Sequence, residues 1–327
     1  MITKTFFVMM ISFIFSLIIG SIIIPLFKNK KVDQRLSIYL ADTHKSKKDT
    51  PTMGGLIFSL PAILTMILLL VFKKIEISNG LIIVLFTFIS YALIGFLDDY
   101  LIIKRNNNQG LKEYQKLLLQ LFVSVIFFSI FMLDNEPLLW IHTFHIKLNI
   151  GWFYGLFILL VLVSSSNAVN LTDGLDGLAT GLSIIAFITF GILTYNTDWL
   201  NGYLDIGLFA FALVGSLLGF LFFNSHPAKI FMGDTGSLAL GATLGTYAIL
   251  TRHELLLIIV GIVFVIETLS CVIQRVYYKF TKKRVFPMTP IHHTFEKLGF
   301  KETDIVKIFW VTGLIGSMIA LGFGVWL

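Results

Sequence analysis

The chain has 327 residues, of which 56% are hydrophobic and 13% charged, and its mean hydropathy is +0.87. Such values exclude a soluble domain and indicate an all-α polytopic membrane protein, read as a single integral-membrane unit over 1–327. The net charge of +6 comes with one cysteine, Cys271, which excludes a disulfide framework and a thiolate metal centre.

Crossing a bilayer as helix takes about 20 apolar residues. In chain order, ten stretches are candidates: 6–27, 54–72, 80–97, 116–133, 152–169, 178–195, 205–223, 236–250, 255–277 and 305–326. The first exceeds the roughly 7–15-residue core of a signal peptide and lacks a small-x-small cleavage site, so it reads as a span. The eighth is short. No internal repeat is visible, which gives no support to an inverted-repeat transporter. Ten spans place both termini on one side. All but five of the 25 Lys and Arg residues fall in the loops 28–53, 98–115, 170–177, 224–235 and 278–304 or in the helix ends beside them. The exceptions are Lys4, Lys73, Lys74, Lys147 and Arg252. By the positive-inside rule these loops are cytoplasmic and both termini face outward. The basic excess is thus a topological signal and not evidence for nucleic acid.

Five polar islands fall on the basic face. His44-Lys-Ser-Lys-Lys-Asp-Thr-Pro-Thr-Met-Gly-Gly55 lies in the first loop, and Gly95-Phe-Leu-Asp-Asp-Tyr100 ends the third span. Asn167-Ala-Val-Asn-Leu-Thr-Asp-Gly-Leu-Asp-Gly177 follows the fifth, with glycines directly after both aspartates, as a tight turn or a close ligand approach requires. Asn224-Ser-His-Pro-Ala-Lys-Ile-Phe-Met-Gly-Asp-Thr-Gly-Ser237 joins the seventh and eighth, and Pro287-Met-Thr-Pro-Ile-His-His-Thr-Phe-Glu296 precedes the tenth. The outward loops, such as Asp134-Asn-Glu-Pro137, read as ordinary turns. Five islands on one face imply one composite site at the membrane boundary.

Asp98, Asp99, Asp173, Asp176 and Asp234 are hard oxygen donors, a set that favours Mg²⁺ or Mn²⁺ over zinc. Lys45, Lys47, Lys48, His292 and His293 can neutralise phosphate oxygens. Together they suit phosphoryl transfer to an acceptor carried in the bilayer. Each island also has a plainer reading. Asp98-Asp99 suits the interfacial end of a helix, Asp234 an N-cap, and the lysines a lipid-headgroup contact. Adjacent histidines do not share a helix face, so a loop is expected there. Glu267, an acid inside the ninth span, is a functional suspect, and Gln274 and Arg275 on roughly the same face offer the plainer reading of a structural pairing. That span is expected to bend near Glu267-Thr-Leu-Ser270 and open a lateral groove.

The strings TPTMGG, GFLDDY, NAVNLTDGLDGLATG, FMGDTGSLALG and PMTPIHH, in this order, closely resemble those of the phospho-N-acetylmuramoyl-pentapeptide transferases. These belong to the polyprenyl-phosphate N-acetylhexosamine-1-phosphate transferase superfamily. The resemblance covers residues 44 to 300. It implies Mg²⁺-dependent transfer of phospho-MurNAc-pentapeptide from UDP-MurNAc-pentapeptide to undecaprenyl phosphate, giving lipid I and UMP, in the bacterial cytoplasmic membrane and by a homodimer. Carried over by motif position, Asp98 and Asp99 match the family's aspartate pair, the first as the base toward the lipid phosphate. Asp234 matches the magnesium-associated aspartate. Asn170, Asp173 and Asp176 match the nucleotide-sugar side, and Phe231 an aromatic near the uracil. Lys45 and Thr50 fit a lysine and threonine beside the nucleotide, and His292 and His293 the first two of a histidine run. The family's third histidine is here Thr294, which cannot carry positive charge, and Asp49 stands where a glycine is common.

The nearest competing reading is a sibling transferase that moves GlcNAc-1-phosphate from UDP-GlcNAc for another surface polymer. An ion-coupled transporter would place its acids near the bilayer midplane. The DDxxD of prenyl-diphosphate synthases is absent, since position 102 is Ile, and so is the DGxxAR of CDP-alcohol phosphotransferases.

Overall fold

The computed structural model describes residues 2–29, 50–105, 110–141, 146–197, 200 and 202–325. Twelve helices and one hairpin follow in order: α1 Ile2–Asn29, α2 Leu56–Val71, α3 Asn79–Arg105, α4 Glu113–Asp134, β1 Leu138–Ile141, β2 Ile146–Asn149, α5 Phe153–Thr172, α6 Leu178–Tyr195, α7 Tyr203–Asn224, α8 Asp234–Leu250, α9 Glu254–Val260, α10 Ile262–Thr281, α11 Ile291–Lys297 and α12 Glu302–Val325. Each of the ten apolar stretches contains helix. Seven helices are long and apolar enough to cross a membrane, or eight if the bent pair α9–α10 is one span. The chain is therefore a multi-pass membrane protein. The other two stretches are shorter helices: α2 has 16 residues and α8 has 17.

Helix α8 is the axis of the bundle. Every residue from Thr235 to Leu250 is buried, as a helix apolar on all sides requires, and α3 and α5 pack along it. Small residues let these backbones approach, because packing drives helix association once water is gone. A Cβ on Gly95 of α3 would overlap the Asp234 carbonyl, and one on Gly241 would overlap that of Ser165 in α5. Helix α1 presents Val8, Ser12, Ser16 and Gly20 to α7 and exposes Phe6, Met10, Ile14 and Ile18 on its other side. That outward apolar face suits a lipid solvent.

Two features depart from the sequence reading. The segment read as ordinary turn after Asp134 continues into an antiparallel hairpin, pairing Leu138 with Asn149 and Ile141 with Ile146. Arg252 fastens it, donating to the carbonyls of Leu138 (2.5 Å) and Glu136 (2.7 Å) while stacking over Phe131. The bend expected near Glu267 lies instead at Gly261, where α9 and α10 meet at 85°. Helix α10 runs unbroken through Glu267–Ser270. A groove does open beside the bend, walled by Ala168, Val169, Leu244, Phe264, Val265 and Leu269.

Candidate active site

The start of α8 organises the polar cluster. The first N–H groups of a helix have no intrahelical acceptor. Here a neighbouring helix supplies one. Asp99 on α3 accepts from the backbone N–H of Asp234 (3.1 Å) and of Thr235 (2.9 Å), and from the Thr235 hydroxyl (2.6 Å). Its buried carboxylate thus caps α8 at the end where the dipole favours negative charge. Asp99 fixes the position of Asp234 and faces the helix, not open space.

Asp234 itself points outward into a cluster of three further side chains. Asn170, at the end of α5, donates to Oδ1 (2.7 Å) and also lies 2.9 Å from Ser237 Oγ. Lys116, in the first turn of α4, donates to Oδ2 (3.0 Å) and stands 3.3 Å from Asp98 Oδ1. Asp98 lies beside the Asp234 carboxylate and accepts the Leu111 N–H (2.8 Å). Two carboxylates within contact, balanced by one ammonium and oriented by an amide, form an oxygen-rich site of the kind that suits a hard divalent cation. Among the described residues, no Cys or His enters it. The chemistry of this donor set fits Mg²⁺, and Asp234 and Asp98 are the carboxylates that could hold it.

Asp173 caps the C-terminus of α5 and accepts from the Gly233 N–H. Burial first, and then the charges of Asp234, Asp99 and Asp176, push its carboxyl up to about 7. Asp176 is turned elsewhere. Its Oδ2 meets His226 Nδ1 (3.0 Å) and the Ala228 N–H (3.1 Å), while its own N–H donates to Glu302 Oε1 (2.7 Å). Glu302 Oε2 lies 3.4 Å from the same His226 nitrogen. This network ties the α5–α6 turn, the α7–α8 loop and the start of α12 together. The structure places Asp176 in that tie, beside the cluster and not within it.

The α7–α8 loop is held mostly by main chain. Phe231 donates its N–H to the Pro51 carbonyl, and the N–H groups of Gly54 and Gly55 donate to the carbonyls of Phe231 and Met232, each at 2.8 Å. Buried Asn224 closes the loop from within, accepting from Thr180 (2.7 Å) and donating to the Ile230 carbonyl (3.0 Å). Phe231 and Thr50 are half-buried at the joined edge. Lys45 lies outside the described residues.

The two histidines stand on the short helix α11 and not on a loop, and their partners differ accordingly. His292 is fully buried against Glu267, with Nδ1 3.1 Å from Oε1, and a Cβ on Gly174 would overlap its Nε2. His293 pairs with Glu296 at 2.6 Å. Thr294 donates to the Met288 carbonyl (2.5 Å), so that position fastens the preceding loop. Glu267 does not pair with Gln274, which instead accepts the N–H groups of Val285 and Phe286.

The structure therefore joins Asp98, Asp234 and Asn170, puts Asp99 and Asp173 directly behind them, and sets Asp176 apart. The sequence reading missed Lys116 and Glu302, and it held His226 and Ser237 within one island without giving either a role. Lys116 carried only a topological signal there, as one charge in a basic loop.

Comparison with known proteins agrees with this arrangement. Residues 81–252, which hold Asp98 through Asp234, match Glycosyl transferase family 4. Residues 47–58, which hold the segment paired to Phe231, match the phospho-N-acetylmuramoyl-pentapeptide-transferase signature 1. The chain is 42% identical to the phospho-N-acetylmuramoyl-pentapeptide-transferase of Bacillus licheniformis over 98% of both chains. It is 46% identical to that of Staphylococcus saprophyticus, over 96% of this chain and 98% of that one. The Bacillus subtilis protein of the same name is 42% identical over 98% of both. With motifs, geometry and near-full-length identity in agreement, the chain belongs to the phospho-N-acetylmuramoyl-pentapeptide-transferase family.

Proposed function

We propose that the protein transfers phospho-MurNAc-pentapeptide from UDP-MurNAc-pentapeptide to undecaprenyl phosphate, releasing UMP and forming lipid I. The observation that carries this reading is the Asp98–Lys116–Asp234–Asn170 cluster lying at the end of a lipid-accessible groove. Ala168 and Val169 line the groove, and Asn170 is the next residue of the same helix. An acceptor with an apolar tail in the groove would bring its phosphate to the cluster.

In the reaction, an oxygen of the lipid phosphate bonds to the β-phosphorus of the UDP-sugar while the bond from that phosphorus to the bridging oxygen breaks. The electron pair leaves with UMP. Mg²⁺ held by Asp234, with Asp98 beside it, would neutralise the diphosphate oxygens. Asp98 stands ready to accept a proton from the lipid phosphate, whose second pKa of about 6 leaves little to remove at neutrality. Lys116 offsets one of the two carboxylate charges and lets a polyanionic substrate approach. Asn170 fixes the rotamer of Asp234, and Asp99 fixes its backbone, so the site is arranged before substrate arrives. The site-bearing end faces the cytoplasm on this reading, as the lysine and arginine distribution favours, and the enzyme acts as a homodimer in the bacterial cytoplasmic membrane.

The test uses purified protein with undecaprenyl phosphate and Mg²⁺, given UDP-MurNAc-pentapeptide or UDP-GlcNAc, and follows UMP. UMP is expected from the muramoyl substrate alone. D98N and D234N should each lower its release by about 100-fold or more. Release from UDP-GlcNAc instead would assign the protein to the sibling transferases.

A further inference from the structure

Asp176, His226 and Glu302 form a second cluster of ligating side chains, turned away from Asp98 and Asp234. They come from the α5–α6 turn, the α7–α8 loop and the first turn of α12, and Asp176 stands 50 residues from His226 and 126 from Glu302 in the chain. One donor atom from each lies within 4.8 Å of the other two. His226 Nδ1 is 3.0 Å from Asp176 Oδ2 and 3.4 Å from Glu302 Oε2. A ring nitrogen carries either one hydrogen or one lone pair, so it cannot fully satisfy two carboxylates that face it together. A metal ion is not so limited.

The donors are spaced for such an ion. Zinc bonds of about 2.0–2.2 Å at tetrahedral angles set neighbouring donors about 3.3–3.6 Å apart. Both nitrogen–oxygen distances lie in that range or within a few tenths of an ångström of it. The carboxylates are also oriented by main chain, as metal-ligating carboxylates are. The Ala228 N–H donates to Asp176 Oδ2 (3.1 Å), and the Asp176 N–H donates to Glu302 Oε1 (2.7 Å), which turns Oε2 toward the ring. The way in is from the histidine side. The Asp176 side chain is 2% exposed and that of Glu302 13%, whereas that of His226 is 42% exposed. The imidazole also separates this cluster from the oxygen donors around Asp234, because a nitrogen donor favours zinc over magnesium.

We propose that Asp176, His226 and Glu302 bind one Zn²⁺ through Oδ2, Nδ1 and Oε2, with water as the fourth ligand. The ion is a clip, distinct from the Mg²⁺ cluster. It joins the turn that follows Asp173 to the loop that leads to Asp234, and both to α12. Only the folded chain brings the three donors together, so the ion stabilises the fold in proportion to its affinity. No step of the transfer passes through it, and the proposal stands or falls apart from the transferase reading.

The test uses untagged, chelator-stripped protein in detergent with excess Mg²⁺, titrated with Zn²⁺ against a chromophoric chelator. One Zn²⁺ per chain should bind, and the melting temperature should rise with it. H226Q and E302Q should each weaken binding by more than about 100-fold, beyond the roughly 10–100-fold cost of changing a residue that only supports a ligand. D234N alters the Mg²⁺ cluster and should bind Zn²⁺ as the wild type does. H226C supplies another zinc donor, so it should recover binding and, loaded with Co²⁺, show a thiolate-to-cobalt charge-transfer band that the wild type lacks. X-ray absorption of the zinc-loaded wild type should show one imidazole and only nitrogen or oxygen donors at about 2.0–2.2 Å, which decides the matter should a variant fail to fold. No binding at micromolar Zn²⁺, unchanged binding in H226Q or E302Q, loss of binding in D234N, or a spectrum without an imidazole would overturn the proposal.

Discussion

Asp98 and Asp99 are adjacent in sequence and serve different ends. Successive residues on a helix point about 100° apart, so one carboxylate faces Lys116 and Asp234 while the other faces the start of α8. The sequence named both aspartates and had no means of separating them, because the separation depends on which helix lies alongside. Asn170 and Asp234 were legible for the opposite reason: amides and acids at the end of an apolar run need a partner, and here each is the other's. The Glu267–His292 contact was not legible, since 25 residues and a loop intervene. Asp173 gives a pH prediction at this scale. Its folded pKa of about 7 lies above the ordinary 3.8, so the fold favours its neutral form and loses stability as pH rises through that window. D173N removes the ionisation. In thermal melts without metal or nucleotide, D173N should match wild type only below about pH 4, and its margin should widen as pH rises to about 7. An unchanged difference between the two would contradict the assignment.

At the scale of elements, apolar run length found the helices well and said little about their breaks. The bend at Gly261 sits inside a continuous apolar stretch with no polar residue to mark it, whereas Glu267 drew attention and has intact helix on both sides. The hairpin after Asp134 was hidden because its strands are four residues each, too short for a clear alternation. The contact between α3 and α8 is sharper in its consequences. Gly95 lies against the main chain of Asp234 and Thr235, atoms that cannot rotate away. G95A should lower stability by about 1–3 kcal/mol, the cost of overpacking, and reduce turnover by moving Asp234. Gly322 on α12 has nothing within 4 Å of a built Cβ, so G322A should leave both unchanged. Melting temperature and UMP release, measured side by side on the two variants, test the distinction. Equal effects would mean that helix propensity, and not the close approach, governs these positions.

Across the whole molecule, islands from Pro51 to His293 converge on one end of the bundle, which chain-order reading anticipated from alternation alone. What alternation could not supply is how they are joined. The strip at Pro51–Gly55 and the strip at Phe231–Met232 recognise each other through carbonyl and amide groups, at three contacts of 2.8 Å. Those groups are common to nearly every amino acid, so the joint is blind to the identity of the side chains it carries. Spelling there is free to drift, within the left-handed turn at Met53 (φ 65°), while the number of letters is not. One residue inserted between Met53 and Gly54 would offset every later contact, carrying Thr50 away from Phe231. Such an insertion should abolish UMP release in protein that still extracts and melts as a folded species, whereas conservative replacements of Pro51 or Met232 should be tolerated. Lineages descended from this sequence can therefore be expected to differ here by substitution and to agree in length.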